Sequence, residues 1–288
     1  MATLARRVPA ARIVPGLALR RWLALAVPHL ILILFSAIIL LPLLWVLRVS
    51  LTDKLTAYRI PPEWTAPSLA NYVEIFVAYP FATWFLNSMV VALGSTAIAL
   101  PLAVALAYAF TRFDTGGKPL RLGVLAGQML PPVILVLPLF ALFLGSGLLN
   151  TRIGLIVAHL TFNLPFLAWM LITFFEGEVR QLEEAARIEG ASRFQAFLWI
   201  ALPVAAPGIL AAGLLGFILS WNEFLFALIL SGKATQTLPV GLSTLETHRG
   251  VEIALLAAAT LVAVLPVFAL LPFLRKYLIK GLSLGALK

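Results

Sequence analysis

The chain has 288 residues and a mean hydropathy of +1.03, with 62% hydrophobic and 11% charged residues. A soluble domain carries about 25% charged residues, so this composition excludes a soluble globular protein and indicates an integral membrane protein. The net charge is +9, but basic residues beside membrane spans follow from topology alone, and no nucleic-acid partner is inferred.

The apolar segments are long and continuous, without the alternation of an outer-membrane barrel, and they predict an all-α bundle of six transmembrane helices. The six spans are expected near residues 23–47, 83–110, 120–144, 153–175, 205–230 and 252–274. Between the first two spans, Ser68 is placed to cap a short outer helix. The third span contains Pro131, Pro132 and Pro138, so it should be kinked or locally unwound.

The distribution of Lys and Arg orients the bundle. An even number of spans puts both termini on one side, together with the loops 111–121 and 176–203. That side carries most of the 21 Lys and Arg residues and is therefore predicted to be cytoplasmic. The predicted organisation is a cytoplasmic tail at 1–22, a transmembrane domain at 23–274 with an extracytoplasmic loop at 231–250, and a cytoplasmic tail at 275–288.

The segment 176–203 is the longest polar stretch in the second half of the chain. It predicts two short helices separated by a turn at Gly190, with Ser192 capping the second helix and Leu202-Pro203 turning the chain into the fifth span. Its five acidic residues outnumber its three basic residues, whereas helices that lie on lipid favour Lys and Arg. A helix pair that docks on a basic protein groove is therefore favoured over an interfacial loop in the headgroups.

The same segment has the spacing of a known motif. Glu184-Ala185-Ala186, Gly190, Ile200 and Leu202-Pro203 match the EAA motif of the permease subunits of ABC importers. Residues 129–132, 220–224, 237–242 and 275–282 resemble carbohydrate-importer permeases, in particular the smaller permease of the maltose-type system. The resemblance extends over residues 25–288, and it departs from the family at Val179 and Glu189, where Pro and Asp are usual.

The resemblance implies a type I ABC importer permease fold with both termini cytoplasmic, in the bacterial cytoplasmic (inner) membrane. It implies that the segment 176–203 docks in a cleft of an ATPase subunit, with Glu183 and Glu184 bonded to basic residues of that subunit. The implied coupling residues are Glu183, Glu184, Ala185, Ala186, Gly190, Ile200, Leu202 and Pro203. The implied partners are a second permease chain, two ATPase subunits and an extracytoplasmic solute-binding protein.

Nothing in the sequence predicts catalysis by this chain. It contains no G-x-x-x-x-G-K-[ST] phosphate-binding loop and no evident Ser/His/Asp arrangement. It has no Cys, and its three His residues are far apart, so neither a disulfide nor a metal site is expected. We therefore expect a non-catalytic subunit without a bound cofactor, with ATP and Mg²⁺ held by the ATPase chains.

Polar residues at membrane depth are candidates for the translocation pathway. These candidates are Asn87, Asn163, Trp221, Asn222 and Glu223. For Asn87 and Asn163 the alternative is a hydrogen bond that holds helices together, and for Glu223 it is a position near the outer interface with access to water. Trp221 is either part of an interfacial aromatic belt or a platform for a sugar ring.

The resemblance also implies contacts at the two ends of the molecule. The outer loop 231–250 would contact the solute-binding protein through Thr237, Leu238, Pro239 and Gly241, and the alternative is an ordinary solvated connector. The tail 275–288 would reach towards the ATPase pair, and the alternative is a basic segment that lies on anionic lipid.

Residues and resemblance together predict the permease subunit of an ATP-driven, binding-protein-dependent sugar importer. The assignment of a sugar as the substrate rests on the resemblance alone, so an importer of another small solute is the first alternative. An ion-coupled secondary transporter is the second, but it would need paired acids at the midplane and inverted repeats, which are not apparent. A membrane enzyme is a more distant alternative.

Overall fold

The computed structural model describes residues 15–63, 65–113, 115–176, 178–247 and 250–285, so parts of the predicted tails, at residues 1–14 and 286–288, lie outside the described residues. The helices are α1 (Pro15–Ser50), α2 (Ala70–Val77), α3 (Phe81–Arg112), α4 (Gly117–Met129), α5 (Pro132–Ser146), α6 (Arg152–Glu176), α7 (Glu178–Ile188), α8 (Arg193–Ala196), α9 (Leu202–Trp221), α10 (Leu225–Leu230), α11 (Leu238–Ser243) and α12 (Ile253–Gly285). A 3-10 turn at Thr56–Tyr58, a π-helical turn at Phe197–Ala201 and a hairpin of Glu246–Thr247 with Gly250–Val251 complete the described secondary structure.

The described helices give five or six candidate spans, where the sequence predicts six. Five of them are long and apolar enough to cross a membrane, by length and composition, and there are six if the bent pair α4–α5 counts as one span. α4 and α5 meet at 92°. Leu130 and Pro131 between them are extended, and the two adjacent prolines remove backbone donors, so the predicted kink is a complete break.

The fifth span begins and ends earlier than residues 205–230, where it is predicted. The span is helical from Arg193 to Trp221. Leu202-Pro203 does not turn the chain, because the five residues before it form a π-helical turn in which the Leu202 N–H donates to the Phe197 carbonyl. Pro203 has no N–H with which to continue the α-helical pattern, and the wider turn falls at that point.

The helices α3, α6 and α9 form the centre of the bundle, and small residues let them approach closely. Ala99, Ala103 and Ala107 of α3 share one buried cluster with Ala168 of α6 and Ala212 of α9. Lipid tails are as apolar as the side chains, so close van der Waals packing has to hold membrane helices together. Their mutual orientation therefore depends on which small residues face each other.

The helix α1 lies at the edge of the bundle. It contacts α12, which in turn packs against α9. Residues 25–45 of α1 are all exposed, although this part of the helix is strongly apolar. Such a surface fits a helix whose surroundings are apolar on most sides, as in a bilayer.

The short helix α2, which is predicted to lie on the outer side, is fixed against the C-terminal end of α1. The Ser68 hydroxyl accepts the Ala70 N–H at 3.1 Å, but Ser68 precedes the helix by two residues and is not the cap residue that the sequence predicts. The buried Asn71 amide donates to the carbonyl oxygens of Ser50 and Thr52, each at 2.8 Å. These bonds satisfy carbonyls at the end of α1 that have no partner within the helix.

Candidate functional site

The coupling hairpin, which we define as residues 178–203, has the turn that the sequence predicts. Gly190 has a φ of +102°, which favours glycine, and α7 ends two residues before it. Ser192 caps α8 in a reciprocal capping box, since its hydroxyl accepts the Gln195 N–H while the Gln195 side chain accepts the Ser192 N–H. The hairpin geometry is thus set locally by two adjacent elements of sequence.

The coupling hairpin exposes apolar side chains to its surroundings. Ile188 is 88% exposed, Phe194 is 69% exposed, and Trp199 is also exposed. Glu184 is exposed beside them and pairs with Arg180 on the same helix at 2.9 Å. Exposed apolar groups rimmed by charge are typical of a surface that another protein covers.

Glu183 is buried whereas Glu184 is exposed, so the carboxylate of Glu183 is not presented to a partner protein. The resemblance implied that it would be. Glu183 is 5% exposed. One carboxylate oxygen accepts the hydroxyl of Tyr108, and the other accepts Nε of Arg112 at 2.7 Å. Because both oxygens are bonded within the chain, Glu183 is an internal residue of the site.

Other acidic residues of the segment are also paired within the chain. Glu176 pairs with Arg121 at 2.7 Å. A cleft of about 130 Å³ between the end of α3 and the hairpin is lined by Arg180, Arg187 and Arg193 as well as by the two neighbouring acids. The face is therefore of mixed charge, whereas the residue count alone suggests an acidic one.

The remaining motif residues lie along both arms of the hairpin. Ala185 is exposed and Ala186 is half-buried on α7, which packs against the π-helical turn. Ile200 and Leu202 are half-buried there, and Pro203 is exposed. The two halves of the motif are thus brought together by the hairpin.

Asn87 is bonded to the outer loop and not free to meet a solute. Its buried amide donates to the carbonyl oxygens of Ala234 at 3.0 Å and Gln236 at 2.8 Å, and its oxygen accepts Nε of Arg152 at 2.7 Å. These contacts correspond to the alternative in which a buried amide holds segments together.

Asn163 lies where α6 meets α9. Its amide nitrogen donates to Thr96 at 3.4 Å, and its buried oxygen has no hydrogen-bond partner in the described part of the chain. A Cβ at Gly216 of α9 would lie 2.7 Å from that oxygen, so a larger residue at this position would require the Asn163 side chain to shift. Asn163 thus keeps an unused acceptor at the centre of the bundle.

Trp221 is neither an interfacial belt residue nor an open stacking platform. It is 4% exposed, and its Nε1 donates to the carbonyl of Ala263 in α12 at 3.2 Å. Its ring stacks on Phe217 and meets the edge of Phe85. The last turn of α9 points this side chain at α12, so it is part of the core.

Glu223 bonds the first turn of α10 from a position just before the cap residue Phe224, and its neighbour Asn222 bonds back to α9. The Glu223 carboxylate accepts the N–H groups of Phe226 at 2.9 Å and Ala227 at 3.1 Å. Its side chain is largely buried. This differs from the alternative in which Glu223 has access to water. The exposed Asn222 donates to the Ile218 carbonyl at 2.8 Å, which ends α9 there.

A buried chain of polar side chains extends from Glu223 into the bundle. Nε2 of His159 lies 3.5 Å from Glu223, and Nδ1 lies 2.6 Å from the hydroxyl of Ser220. That hydroxyl lies 3.0 Å from the hydroxyl of Ser95. His159, Ser220 and Ser95 are absent from the sequence-based candidates, although a histidine inside an apolar span is itself a signal.

The four predicted docking residues do not form an outer surface. Leu238 is 1% exposed and donates its N–H to Ser88 at 2.8 Å, and Thr237 is buried beside it. Gly241 is buried against the ring of Trp84, where a Cβ would clash, while Pro239 is half-buried. The segment re-enters the bundle because Ser88 and Trp84 of α3 receive it.

Comparison with known proteins decides the class of the molecule. Residues 99–284 match the family described as the binding-protein-dependent transport system inner membrane component. The chain belongs to this family. The predicted multi-pass inner-membrane permease is thereby confirmed, and the match includes the whole coupling hairpin.

Relatives and a solved structure agree with this assignment. The sulfoquinovosyl glycerol transport system permease protein SmoH of Agrobacterium fabrum is 36% identical over 86% of this chain and 89% of its own length. The trehalose transport system permease protein SugB of Mycobacterium tuberculosis is 35% identical over 86% and 92%. A bacterial ABC transporter that imports alginate has a chain with a TM-score of 0.71 at 19% identity, covering 94% of this chain and 99% of that one. The last confirms the importer-permease fold, while the side on which the termini lie stays a prediction.

Proposed function

We propose that this chain is a permease subunit of an ATP-driven, binding-protein-dependent importer of a carbohydrate or a glycoside. The observation that carries the substrate class is the similarity, at 35–36% identity over most of both chains, to permeases named for sulfoquinovosyl glycerol and trehalose. The family itself supports a partner that delivers solute, because its members are components of binding-protein-dependent systems.

In this proposal the chain moves solute but does not hydrolyse ATP. ATP and Mg²⁺ are bound by two ATPase subunits, and a second permease chain completes the pathway. The exposed face of the coupling hairpin, with Ile188, Phe194 and Glu184, is the surface that an ATPase subunit covers. Closure of the ATPase pair then displaces the hairpin and switches the bundle between two packings.

The proposed pathway lies along α3, α6 and α9. Asn163 contributes the unused buried acceptor, and the chain from Glu223 to Ser95 contributes polar groups that connect these helices. Asn87 and Trp221 hold the bundle together and do not contact solute in this proposal. The outer contact with the solute-binding protein is assigned to the loop 231–250, of which His248 and Arg249 lie outside the described residues.

The test is reconstitution of the complex in vesicles. The chain is co-expressed with a candidate ATPase, a second permease and a solute-binding protein from the same organism, and ATP hydrolysis is measured with a panel of sugars. We expect co-purification of all membrane components and hydrolysis that rises only when binding protein and a sugar are both present. Uptake driven by an ion gradient without ATP, or stimulation by a non-sugar solute alone, would overturn the respective part of the proposal.

A further inference from the structure

Three elements of the protein meet at a buried ion pair on the side that is predicted to be cytoplasmic. Glu183 on α7 bonds Arg112 at the end of α3 through Nε at 2.7 Å, and both side chains are about nine-tenths buried. Arg112 also donates from Nη2 to the carbonyl of Phe175 in the last turn of α6, at 2.9 Å. The Tyr108 hydroxyl donates to the second oxygen of Glu183. We call these side chains the Tyr108–Arg112–Glu183 cluster.

The same cluster reaches the start of the fifth span through aromatic contacts. The ring of Tyr108 lies 4.5 Å from the ring of Phe197 in the π-helical turn and 5.9 Å from that of Phe175. The cytoplasmic ends of α3, α6 and the fifth span are thus all in contact with one residue. A displacement of this cluster therefore acts on the three central spans together.

The neighbouring acid makes a different kind of contact. Glu184 is exposed and pairs with Arg180 four residues before it on α7. A bond within one helix stabilises that helix but carries no displacement to another element. The Glu183–Arg112 pair joins α7 to α3, and its two residues are 71 positions apart in sequence. Charge-assisted bonds in a site shielded from water are short and strong, so such a link is stiff.

We propose that the Tyr108–Arg112–Glu183 cluster is a mechanical tether that passes displacement of the coupling hairpin to α3. This inference rests on the proposed function, since it assumes that ATPase subunits move the hairpin. Glu183 is then a positioning residue: it does not contact the ATPase, and it keeps α7 and α3 moving as one body. Glu184, on the exposed face, belongs to the contact with the ATPase.

The test removes the tether without leaving a buried charge unpaired. The double variant Arg112→Met, Glu183→Leu replaces both charges by apolar side chains, a change that proteins often tolerate. In the reconstituted complex we expect ATPase co-purification within about twofold of wild type, because the exposed face is intact. We expect solute uptake per ATP hydrolysed to fall about tenfold or more, because α7 moves without α3.

The matched control is Glu184→Gln, one residue away on the exposed face. It should weaken ATPase co-purification, while the complex that still forms keeps the wild-type uptake per ATP. A covalent bridge provides the second arm, because the natural chain contains no Cys. Arg112→Cys, Glu183→Cys should regain uptake per ATP when bridged by a short bis-methanethiosulfonate reagent, which forms a disulfide with each thiol, and lose it again when a reductant cleaves these disulfides.

A distance measurement keeps the test decisive where a variant does not assemble. Spin labels on the exposed positions Gln181 of α7 and Ala105 of α3 should keep a constant separation between ATP-free and ATP-bound complexes. A separation that changes, an unaltered uptake per ATP in the double variant, or a loss of co-purification equal to that of Glu184→Gln would overturn the tether. Failure of the wild-type chain to bind any ATPase would instead overturn the proposed importer.

Discussion

Glu183 and Glu184 are adjacent acids with opposite environments. Successive side chains of an α-helix point about 100° apart, so one of two neighbours can face the bundle while the other faces outwards. Glu183 is buried because Arg112 and Tyr108 donate hydrogen bonds to its carboxylate there, and Glu184 remains exposed. At this scale the role of a residue follows from the face of the helix on which it lies.

The packing of Gly241 against Trp84 leads to a prediction about stability. Gly241→Ala places a Cβ in the volume of the Trp84 ring, at a buried position of α11. Overpacking of this kind costs about 1–3 kcal/mol, so we expect a lower thermal unfolding temperature in detergent. Gly145→Ala in α5 is the control, since nothing lies within 4 Å of its Cβ. Equal unfolding temperatures for the two variants would contradict the packing of α11.

The bonds between the Glu223 carboxylate and the first turn of α10 lead to a second prediction. Glu223→Ala removes both acceptors for the first N–H groups of α10. Loss of a helix cap costs about 1–2 kcal/mol, and a decrease in unfolding temperature should report it. Glu63→Ala is the matched control, because Glu63 makes an exposed pair with Arg59 and should cost less than about 0.5 kcal/mol. An unchanged unfolding temperature for Glu223→Ala would mean that this carboxylate does not stabilise the start of α10.

Among the elements, the coupling hairpin is defined by its turn and by the helix that continues from it. Gly190 reverses the chain, Ser192 starts α8, and the π-helical turn leads without interruption into α9. Because the second arm of the hairpin is the N-terminal end of a span, motion of the hairpin is motion of that span. A break in the helix at Leu202-Pro203, as the sequence predicts, would have separated the hairpin from the span.

The backbone of Gly190 allows a prediction for the hairpin. Gly190→Ala puts a Cβ on a residue with φ of +102°, at a cost of about 1–2 kcal/mol, although the space around it is open. We expect the angle between α7 and α8 to change and the amount of co-purified ATPase to fall. Gly127→Ala in α4 also adds a Cβ in open space but in helical backbone, and should bind ATPase as wild type does.

For the whole molecule, the number of spans and the orientation in the membrane rest on different observations. The number of spans follows from the described helices, five or up to six. The sidedness rests on Lys and Arg counts and stays a prediction. The structure adds that the outer loop partly re-enters the bundle through α11, so only part of it faces the solute-binding protein in the proposed complex.

Introduced cysteines test the sidedness directly, since the chain has none of its own. Lys233→Cys on the outer loop should react with a membrane-impermeant maleimide in intact cells. Gln181→Cys on α7 should react only after permeabilisation, and the fully buried Ala103→Cys should react in neither case. Labelling of Gln181→Cys from outside would reverse the orientation, and with it the predicted position of the termini.

Features that depend on nearby residues are the ones that the sequence determines. The apolar runs specify the spans because a bilayer sets their length and excludes unpaired backbone groups. The turn at Gly190 and the cap at Ser192 follow from the conformational freedom of glycine and from a hydroxyl within reach of its own helix. The motif from Glu184 to Pro203 identifies the family for the same reason, since its spacing is local.

Features that depend on distant partners are decided only by the tertiary structure. Glu183 bonds Arg112, Trp221 bonds Ala263 and Leu238 bonds Ser88, and each pair is far apart in sequence. Nearly every residue of a span is apolar, so periodicity does not reveal which face meets which helix. The small residues and polar atoms that pair across α3, α6 and α9 determine which helix faces meet. As a result, several residues predicted to lie on the surface or along the pathway are interior.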